Sequence, residues 1–430
     1  MTTTGSHDKA DEMASIPTES TTSHGGADPF AKNGLHDIEA VLKARGVDAF
    51  YRAVQGWTED GYALLDGREV VMAGSNDYLG LSRHPRVLAA AVEAIGRYGT
   101  SVSGSRALNG TIELHEALEA RLARFLGQEA AAVATTGFQA GLALSAALGR
   151  DDVAFGDIRN HASLVDGMRM GLGTVRSYRH CDPDHLRQRL RASAGPGGRL
   201  VVTDGVFSME GDAAPLRALR EVADEFGARL IVDSAHDFGV LGRSGAGLTE
   251  SAGLTDRVDL IIVTMSKALG STGGVIAGPA ANVRQLRYNA RSLLFSAALP
   301  PASAAAALAA LDVLEAEPER RDRLHRLSRL LHDGLRAIGF DTRPSTTPIV
   351  PVTFPDVPTA GAFWAGLCEA GVITNLSGPP AAKRAMLRVT VTAALDTPHV
   401  ERVLRAFSVV AERLGTPRAD EPLPPVELTR

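Results

Sequence analysis

Short apolar segments alternate with amphipathic stretches through the middle of the chain. The segments predicted to be strands are 131–134, 152–155, 174–177, 200–203, 230–233 and 260–263. Helical spacing of apolar positions predicts helices at 85–97, 111–126, 137–148, 182–192, 215–226 and 279–292. Buried strands separated by helices indicate an α/β fold with a mainly parallel sheet that is covered on both faces. Ligands of such folds bind beyond the carboxyl ends of the strands.

The same patterning divides the chain into five parts. They are a disordered tail at 1–34, an N-terminal helix and hairpin segment at 35–84, a large ligand-binding domain at 85–314, a small α+β domain at 315–413 and a flexible tail at 414–430. A helix is expected over 35–54, and Asp66-Gly67 predicts the turn of a hairpin. The small domain is predicted from helices at 315–338, 359–370 and 397–413 with strands at 349–354 and 387–392.

Composition narrows the class of protein. The 430 residues are 44% hydrophobic and 22% charged, which is ordinary for a soluble enzyme. A net charge of −5 gives no reason to expect a nucleic-acid or membrane partner, and the Ala-rich run 302–314 is too short to span a bilayer. Cys181 and Cys368 lack the spacing of a metal site or a disulfide framework. We therefore expect a cytoplasmic protein without a metal.

Residues with chemical capability follow the predicted strands. Thr136-Gly137-Phe138 opens a helix, where backbone N–H groups can bind a phosphate. His161 follows a second strand, Asp233 and His236 follow a third, and Lys267 follows a fourth. An Asp suits a pyridinium nitrogen, a His can stack on the ring, and a buried Lys can form an imine. Together these residues predict a site for pyridoxal 5′-phosphate (PLP).

The blocks that carry these residues resemble the α-oxoamine synthase family of fold-type I PLP-dependent transferases. That family includes 8-amino-7-oxononanoate synthase, 2-amino-3-ketobutyrate CoA ligase, 5-aminolevulinate synthase and serine palmitoyltransferase. The resemblance extends from about Gly74 to Ala394. Its blocks are Asn76-Asp77-Tyr78-Leu79-Gly80-Leu81, Gly104-Ser105-Arg106, Asn160-His161-Ala162-Ser163, Phe207-Ser208-Met209-Glu210-Gly211-Asp212, Asp233-Ser234-Ala235-His236 and Ser266-Lys267-Ala268-Leu269-Gly270.

The resemblance implies a role for each site residue. Lys267 is expected to form the Schiff base with PLP and to act as the catalytic base, and His161 to stack on the ring and assist catalysis. Asp233 is expected to pair with the pyridine nitrogen and His236 with the ring hydroxyl. The other implied cofactor contacts are Gly137, Phe138, Thr264 and Ser266 at the phosphate, Ser208 near the ring, and Ser296 reaching the phosphate of the other subunit of a homodimer. Asn76, also across that interface, and Arg388 are implied to bind substrate.

The implied reaction is a Claisen-type condensation, usually decarboxylative, of an amino acid with an acyl thioester, giving an α-aminoketone. The thioester is expected to be an acyl-CoA or an acyl carrier protein. Stretch 371–380 has no Arg where 8-amino-7-oxononanoate synthases carry one, and Leu395 replaces a family His. These departures leave room for lipid or specialised-metabolite biosynthesis. Two alternatives stay open: another PLP-dependent reaction that forms or cleaves a C–C bond, and a non-catalytic scaffold subunit.

Overall fold

A computed structural model describes residues 35–58, 61–193, 195–379, 382, 384–416 and 429. The predicted disordered tail at 1–34 lies outside the described residues, as does most of the predicted tail at 414–430.

Helices and strands alternate through the middle of the chain, much as the pattern predicts. The strands are β1 (Val54–Trp57), β2 (Ala63–Leu65), β3 (Arg68–Met72), β4 (Ala130–Ala134), β5 (Val153–Asp157), β6 (Thr174–Tyr178), β7 (Arg199–Asp204), β8 (Arg229–Asp233), β9 (Leu260–Thr264), β10 (Gly274–Gly278), β11 (Ile349–Thr353), β12 (Val372–Ile373), β13 (Asn375–Ser377) and β14 (Met386–Thr390). The helices are α1 (Leu35–Lys43), α2 (Pro85–Tyr98), α3 (Glu113–Phe125), α4 (Gly137–Leu142), α5 (Ala162–Met170), α6 (Pro183–Arg191), α7 (Leu216–Glu225), α8 (Leu248–Ser251), α9 (Ala280–Asn289), α10 (Arg291–Leu294), α11 (Pro301–Ala316), α12 (Glu319–Ala337), α13 (Val357–Glu369) and α14 (Thr397–Leu414).

The central sheet has seven strands in the order β4-β10-β9-β8-β7-β5-β6. Strands β6, β5, β7, β8 and β9 run parallel to one another, whereas β10 is antiparallel to both β4 and β9. Residues 230–232 of β8 and 260–263 of β9 are apolar and buried, as expected for a sheet that is covered on both faces. The prediction of a mainly parallel α/β sheet is therefore confirmed.

Two smaller sheets flank the central one. Strands β1, β2, β3 and β12 form one of them, and β11, β14 and β13 form the other. The hairpin between β2 and β3 turns at Asp66 and Gly67, which both have positive φ, as the Asp-Gly signal predicts. Because β12 pairs with β3, the N-terminal segment packs with the C-terminal part of the chain. The division into domains at 85 and 315 stays a prediction.

Some boundaries differ from the prediction. The helix expected over 35–54 ends at Lys43, since Gly46 at φ +75° turns the chain out of the helix. The expected helix at 137–148 continues after α4 as a 3₁₀ segment, and the one at 279–292 breaks between α9 and α10. Strand β10 was not predicted, because its small, Gly-bounded sequence carries a weak strand signal. Among the described residues, no helix has the length and apolarity needed to cross a membrane.

Candidate active site

A cavity of about 280 Å³ lies at the carboxyl ends of the central strands. Eight of the residues singled out from the sequence line it, namely Gly137, Phe138, His161, Asp233, His236, Thr264, Ser266 and Lys267. The fold brings them together because β4, β5, β8 and β9 all end at this edge or lead into loops there.

Lys267 follows β9 and contacts a histidine. Its Nζ lies 2.9 Å from Nε2 of His236. Burial lowers the pKa of Lys267 to about 8, and burial together with the nearby Lys267 charge moves the pKa of His236 well below its ordinary value. The histidine is therefore neutral, and a protonated Lys267 donates to its Nε2. The ring proton then lies on Nδ1, which is 2.7 Å from the hydroxyl oxygen of Tyr78.

Two carboxylates lie side by side beneath the cavity. Asp204 at the end of β7 pairs in register with Asp233 at the end of β8. Burial raises the pKa of Asp233, although the nearby Lys267 opposes the shift. Burial and the charge of Asp233 raise the pKa of Asp204 well above its ordinary value. A cation bound against Asp233 would offset the unfavourable free energy of burying two neighbouring negative charges. The site therefore favours a positively charged group at that carboxylate.

The start of α4 forms a cradle against β9. Thr136 caps the helix by accepting the N–H of Gln139 at 3.2 Å, so the first-turn N–H groups of Gly137 and Phe138 are left without helical acceptors. A Cβ on Gly137 would lie 2.6 Å from Oγ1 of Thr264, so only glycine fits here. The helix N-terminus and the neighbouring hydroxyls suit a phosphate.

His161 lies on the cavity wall at the N-terminus of α5. Its Nδ1 is 2.9 Å from the hydroxyl of Ser163, and its backbone N–H donates to Asp204 at 2.8 Å. Desolvation lowers the pKa of His161, although Asp233 opposes the shift. The ring is therefore neutral and fixed in place near Asp233 and Lys267.

Arg388 in β14 connects three segments of the chain next to the cavity. Its Nε donates to the carbonyl of Ser208 at 2.6 Å, one terminal nitrogen donates to Oδ1 of Asn76 at 3.0 Å, and the other lies 3.4 Å from the hydroxyl of Tyr78. Since Tyr78 also contacts His236, a hydrogen-bonded path runs from Arg388 to Lys267.

Two residues expected to serve a second subunit have partners in their own chain. The side-chain oxygen of Asn76 accepts from Arg388 of the same chain, and its role across a subunit interface stays a prediction. The hydroxyl of Ser296 accepts from the side chain of Gln139 in α4 at 2.8 Å. Ser208 approaches the site through its backbone carbonyl.

The chain resembles known proteins over most of its length. A sequence model of the class I and II aminotransferases matches residues 68–407. A serine palmitoyltransferase from Caulobacter vibrioides is 44% identical over 389 residues, which are 90% of this chain and 95% of that protein. An 8-amino-7-oxononanoate synthase from Geobacter metallireducens is 42% identical over 391 residues, 90% of this chain and all of that protein (100%). A solved serine palmitoyltransferase from S. paucimobilis, with a bound PLP–myriocin aldimine, has a TM-score of 0.86 at 33% identity and covers 89% of this chain and 98% of that one.

The chain belongs to the α-oxoamine synthase family. It has the fold of the fold-type I PLP enzymes, uses PLP, and is a C-acyltransferase that performs the PLP-dependent decarboxylative condensation of an amino acid with an acyl thioester. The reaction that the sequence resemblance implied is therefore confirmed.

The cavity fits PLP as an α-oxoamine synthase requires. A glycine cradle with two hydroxyls lies at one end, where Oγ1 of Thr264 is 2.8 Å from the hydroxyl of Ser266. The cavity is also lined by a buried carboxylate, Asp233, and by Lys267, whose pKa is lowered. These groups match a phosphate, a pyridinium nitrogen and an aldehyde respectively.

The sequence reasoning missed three contributors to the site of this α-oxoamine synthase. Tyr78 fell within a recognised block, yet only the fold brings its hydroxyl to His236 and Arg388. Asp204 ends β7 as Asp233 ends β8, so the rule of inspecting strand ends could have found it. Gln139 contacts Ser296, which lies 157 positions further along the chain and has no local signal.

Proposed function

We propose that this enzyme joins L-serine to a long-chain acyl thioester, giving the aminoketone precursor of a sphingoid-type lipid. The observation that carries the choice of serine is the stretch 371–380, which has no arginine and in which Asn375 is followed by prolines, a pattern that resembles serine palmitoyltransferases. In the fold, the side chain of Asn375 donates to the carbonyl of Gly74 at 2.8 Å, next to the segment that bears Asn76. Asn375 in β13 also pairs in register with Arg388 in β14, so this stretch lies beside a proposed substrate residue.

Lys267 supplies the amine that would hold the cofactor, and the same amine then serves as the catalytic base. A pKa of about 8 leaves an appreciable neutral fraction near neutral pH, which both tasks need. With the amino acid bound, the neutral amine of Lys267 would take the proton from the amino acid Cα. PLP, when bound, withdraws electrons from that carbon and so stabilises the negative charge that remains.

The neighbouring residues orient the reacting groups. Asp233 would pair with the pyridine nitrogen, His236 with the ring hydroxyl, and the α4 cradle with Thr264 and Ser266 would hold the phosphate. Arg388 binds the amino-acid carboxylate through its planar guanidinium, which Asn76 and the Ser208 carbonyl already hold in place. His161 would lie against the ring, and because its Nδ1 is engaged by Ser163, its Nε2 would be available to polarise the acyl carbonyl.

We also propose that two copies of the chain form a dimer with the sites at the interface. Large apolar side chains are exposed on loops and turns of the chain, with Leu108 at 85%, Ile158, directly after β5, at 67%, and Phe295, directly before Ser296, at 77% exposure. Phe295 adjoins Ser296, which contacts α4, and Phe138 of the cradle is 44% exposed. An apolar surface beside an active site is typical of an obligate subunit contact.

The substrate proposal is tested by product analysis. The purified enzyme with PLP is given L-serine, glycine or L-alanine, each with palmitoyl-CoA or a palmitoyl carrier protein, and the products are identified by mass spectrometry. We expect the serine aminoketone, with loss of CO₂, from at least one of the two thioesters. The two donors show which carrier is used. Products from glycine or alanine alone would contradict the proposal.

Sedimentation of Phe295→Asp tests the dimer. A buried charge at an apolar interface is costly, so we expect the variant to sediment as a monomer with greatly reduced activity. Val409→Asp is the matched control, since Val409 is also exposed, at 60%, but lies on α14. A wild-type enzyme that sediments as a fully active monomer would refute the dimer.

A further inference from the structure

A histidine outside the cavity is enclosed by two carboxylates. His180, just after edge strand β6, places Nδ1 3.0 Å from Asp157 and Nε2 2.8 Å from Asp212. The ring also packs edge-on against Phe207, with ring centroids 4.4 Å apart. Desolvation opposes the charge, but the two carboxylates prevail and raise the pKa of His180 to about 11. His180 is therefore a cation with both N–H groups donated.

Two of these contacts, Asp212 and Phe207, belong to a single turn. The turn at 205–213 begins after β7 and closes on itself, because Val206 bridges to Ala213 and the N–H of Phe207 donates to the carbonyl of Asp212 at 3.0 Å. Asp157, the third contact, ends strand β5 of the central sheet. His180 thus ties the turn to the sheet at a point away from the cavity.

The turn reaches Arg388 by two routes. The carbonyl of Ser208 in the turn accepts from Nε of Arg388 at 2.6 Å. The carbonyl of Gly211 accepts from the hydroxyl of Thr347 at 2.8 Å, just before β11, and β11 pairs with β14 so that Pro351 lies opposite Arg388. A displacement of the turn would therefore move both the guanidinium and the strand that bears it.

We propose that His180 is a positioning residue for substrate: its ion pairs with Asp157 and Asp212 fix the 205–213 turn, and the turn aims Arg388 at the amino-acid carboxylate. This inference rests on the proposed carboxylate-binding role of Arg388. Cys181 beside His180 gives the cluster a donor set that could hold a metal. Both ring nitrogens of His180 are, however, already committed to carboxylates, which favours the ion-pair role.

The test compares two amines on the PLP-loaded enzyme. L-serine has a carboxylate and ethanolamine does not, and binding of each is followed by the change in cofactor absorbance. Losing a charged hydrogen-bonded partner is expected to make His180→Gln bind L-serine about tenfold more weakly, with ethanolamine affinity changed by less than about twofold. Since both residues act on one contact, adding His180→Gln to Arg388→Ala should cause no further loss.

Further variants distinguish a positioning role of the His180 ion pairs from a general loss of structure. Asp212→Asn keeps an oxygen acceptor for His180 and should lose less serine affinity than Asp212→Ala, at equal PLP content. His325→Gln is the matched control, because His325 lies on α12, where its Nε2 is 3.0 Å from the carbonyl oxygen of Val240, and the variant should bind both amines normally.

The outcomes are distinguishable. If Arg388→Ala weakens serine selectively but His180→Gln and Asp212→Ala weaken both amines equally, or leave both unchanged, the inference about His180 is overturned. If Arg388→Ala itself weakens both amines equally, the proposed role of Arg388 is wrong and the inference falls with it.

Discussion

Nζ of Lys267 lies 2.9 Å from Nε2 of His236, and that histidine is neutral because it is buried beside the lysine. Burial of the lysine lowers its pKa to about 8. A protonated amine cannot attack a carbonyl, so the cofactor-free protein should take up PLP faster as the pH rises.

The first prediction concerns the pH dependence of this uptake. The lysine pKa is lowered in the folded protein, so the reactive neutral form is scarce below about pH 7 and dominant above about pH 9. Stopped-flow absorbance should give a rate that rises through a midpoint near 8, as the lysine pKa of about 8 requires. Arg388 lowers that pKa, so Arg388→Ala should move the midpoint upward. A midpoint near the ordinary lysine value would show that burial does not act as described.

Lys267→Ala should abolish the covalent link to PLP. Borohydride reduction of the wild-type enzyme should add the mass of the reduced cofactor to the peptide that contains Lys267, and this addition should be absent from the variant. Because the base is also lost, activity should fall by at least about a thousandfold. Ser271→Ala, in the same loop with its hydroxyl donating to Ser303, should be labelled and active. Labelling of another lysine in the wild type would disprove the assignment.

The sequence predicted the site residues that follow strands better than it predicted the contacts between distant segments of the chain. Asp233, His236 and Lys267 were found because each follows an apolar strand, and parallel strands end at one edge of a sheet. The antiparallel strand β10 could not be found this way, since only Val275 and Ile276 of its five residues are large and apolar and a glycine stands at each end. The contact of Tyr78 with His236 joins residues 158 positions apart, and no local pattern encodes such a pairing.

Tyr78→Phe tests that long-range contact. The change leaves the ring in its buried place but removes the hydroxyl, so Nδ1 of His236 and one nitrogen of Arg388 each lose a partner. Unsatisfied buried donors are costly, so we expect kcat/KM for the amino acid to fall about tenfold, with folding retained. Tyr98→Phe is the control, because the Tyr98 hydroxyl contacts the exposed Glu113 at the surface. Equal kinetics for both variants would remove Tyr78 from the site.

The last prediction concerns the phosphate cradle. A methyl group on Gly137 would lie 2.6 Å from Oγ1 and 2.7 Å from Cβ of Thr264, which is too close for either to remain in place. The start of α4 must then move away from β9, and its N–H groups would no longer be positioned to donate to the phosphate. Gly137→Ala should therefore raise the Kd for PLP at least about tenfold in equilibrium dialysis.

Gly96→Ala provides the comparison for Gly137→Ala. Gly96 lies within α2, and nothing comes within 4 Å of the position that its Cβ would occupy. Alanine is the better helix former, so this variant should be as stable as the wild type or more so, by up to about 1 kcal/mol, with PLP affinity unchanged. If Gly137→Ala bound PLP as tightly as Gly96→Ala does, the phosphate would have to bind elsewhere than at the start of α4, and the assignment of Gly137 and Phe138 would be wrong.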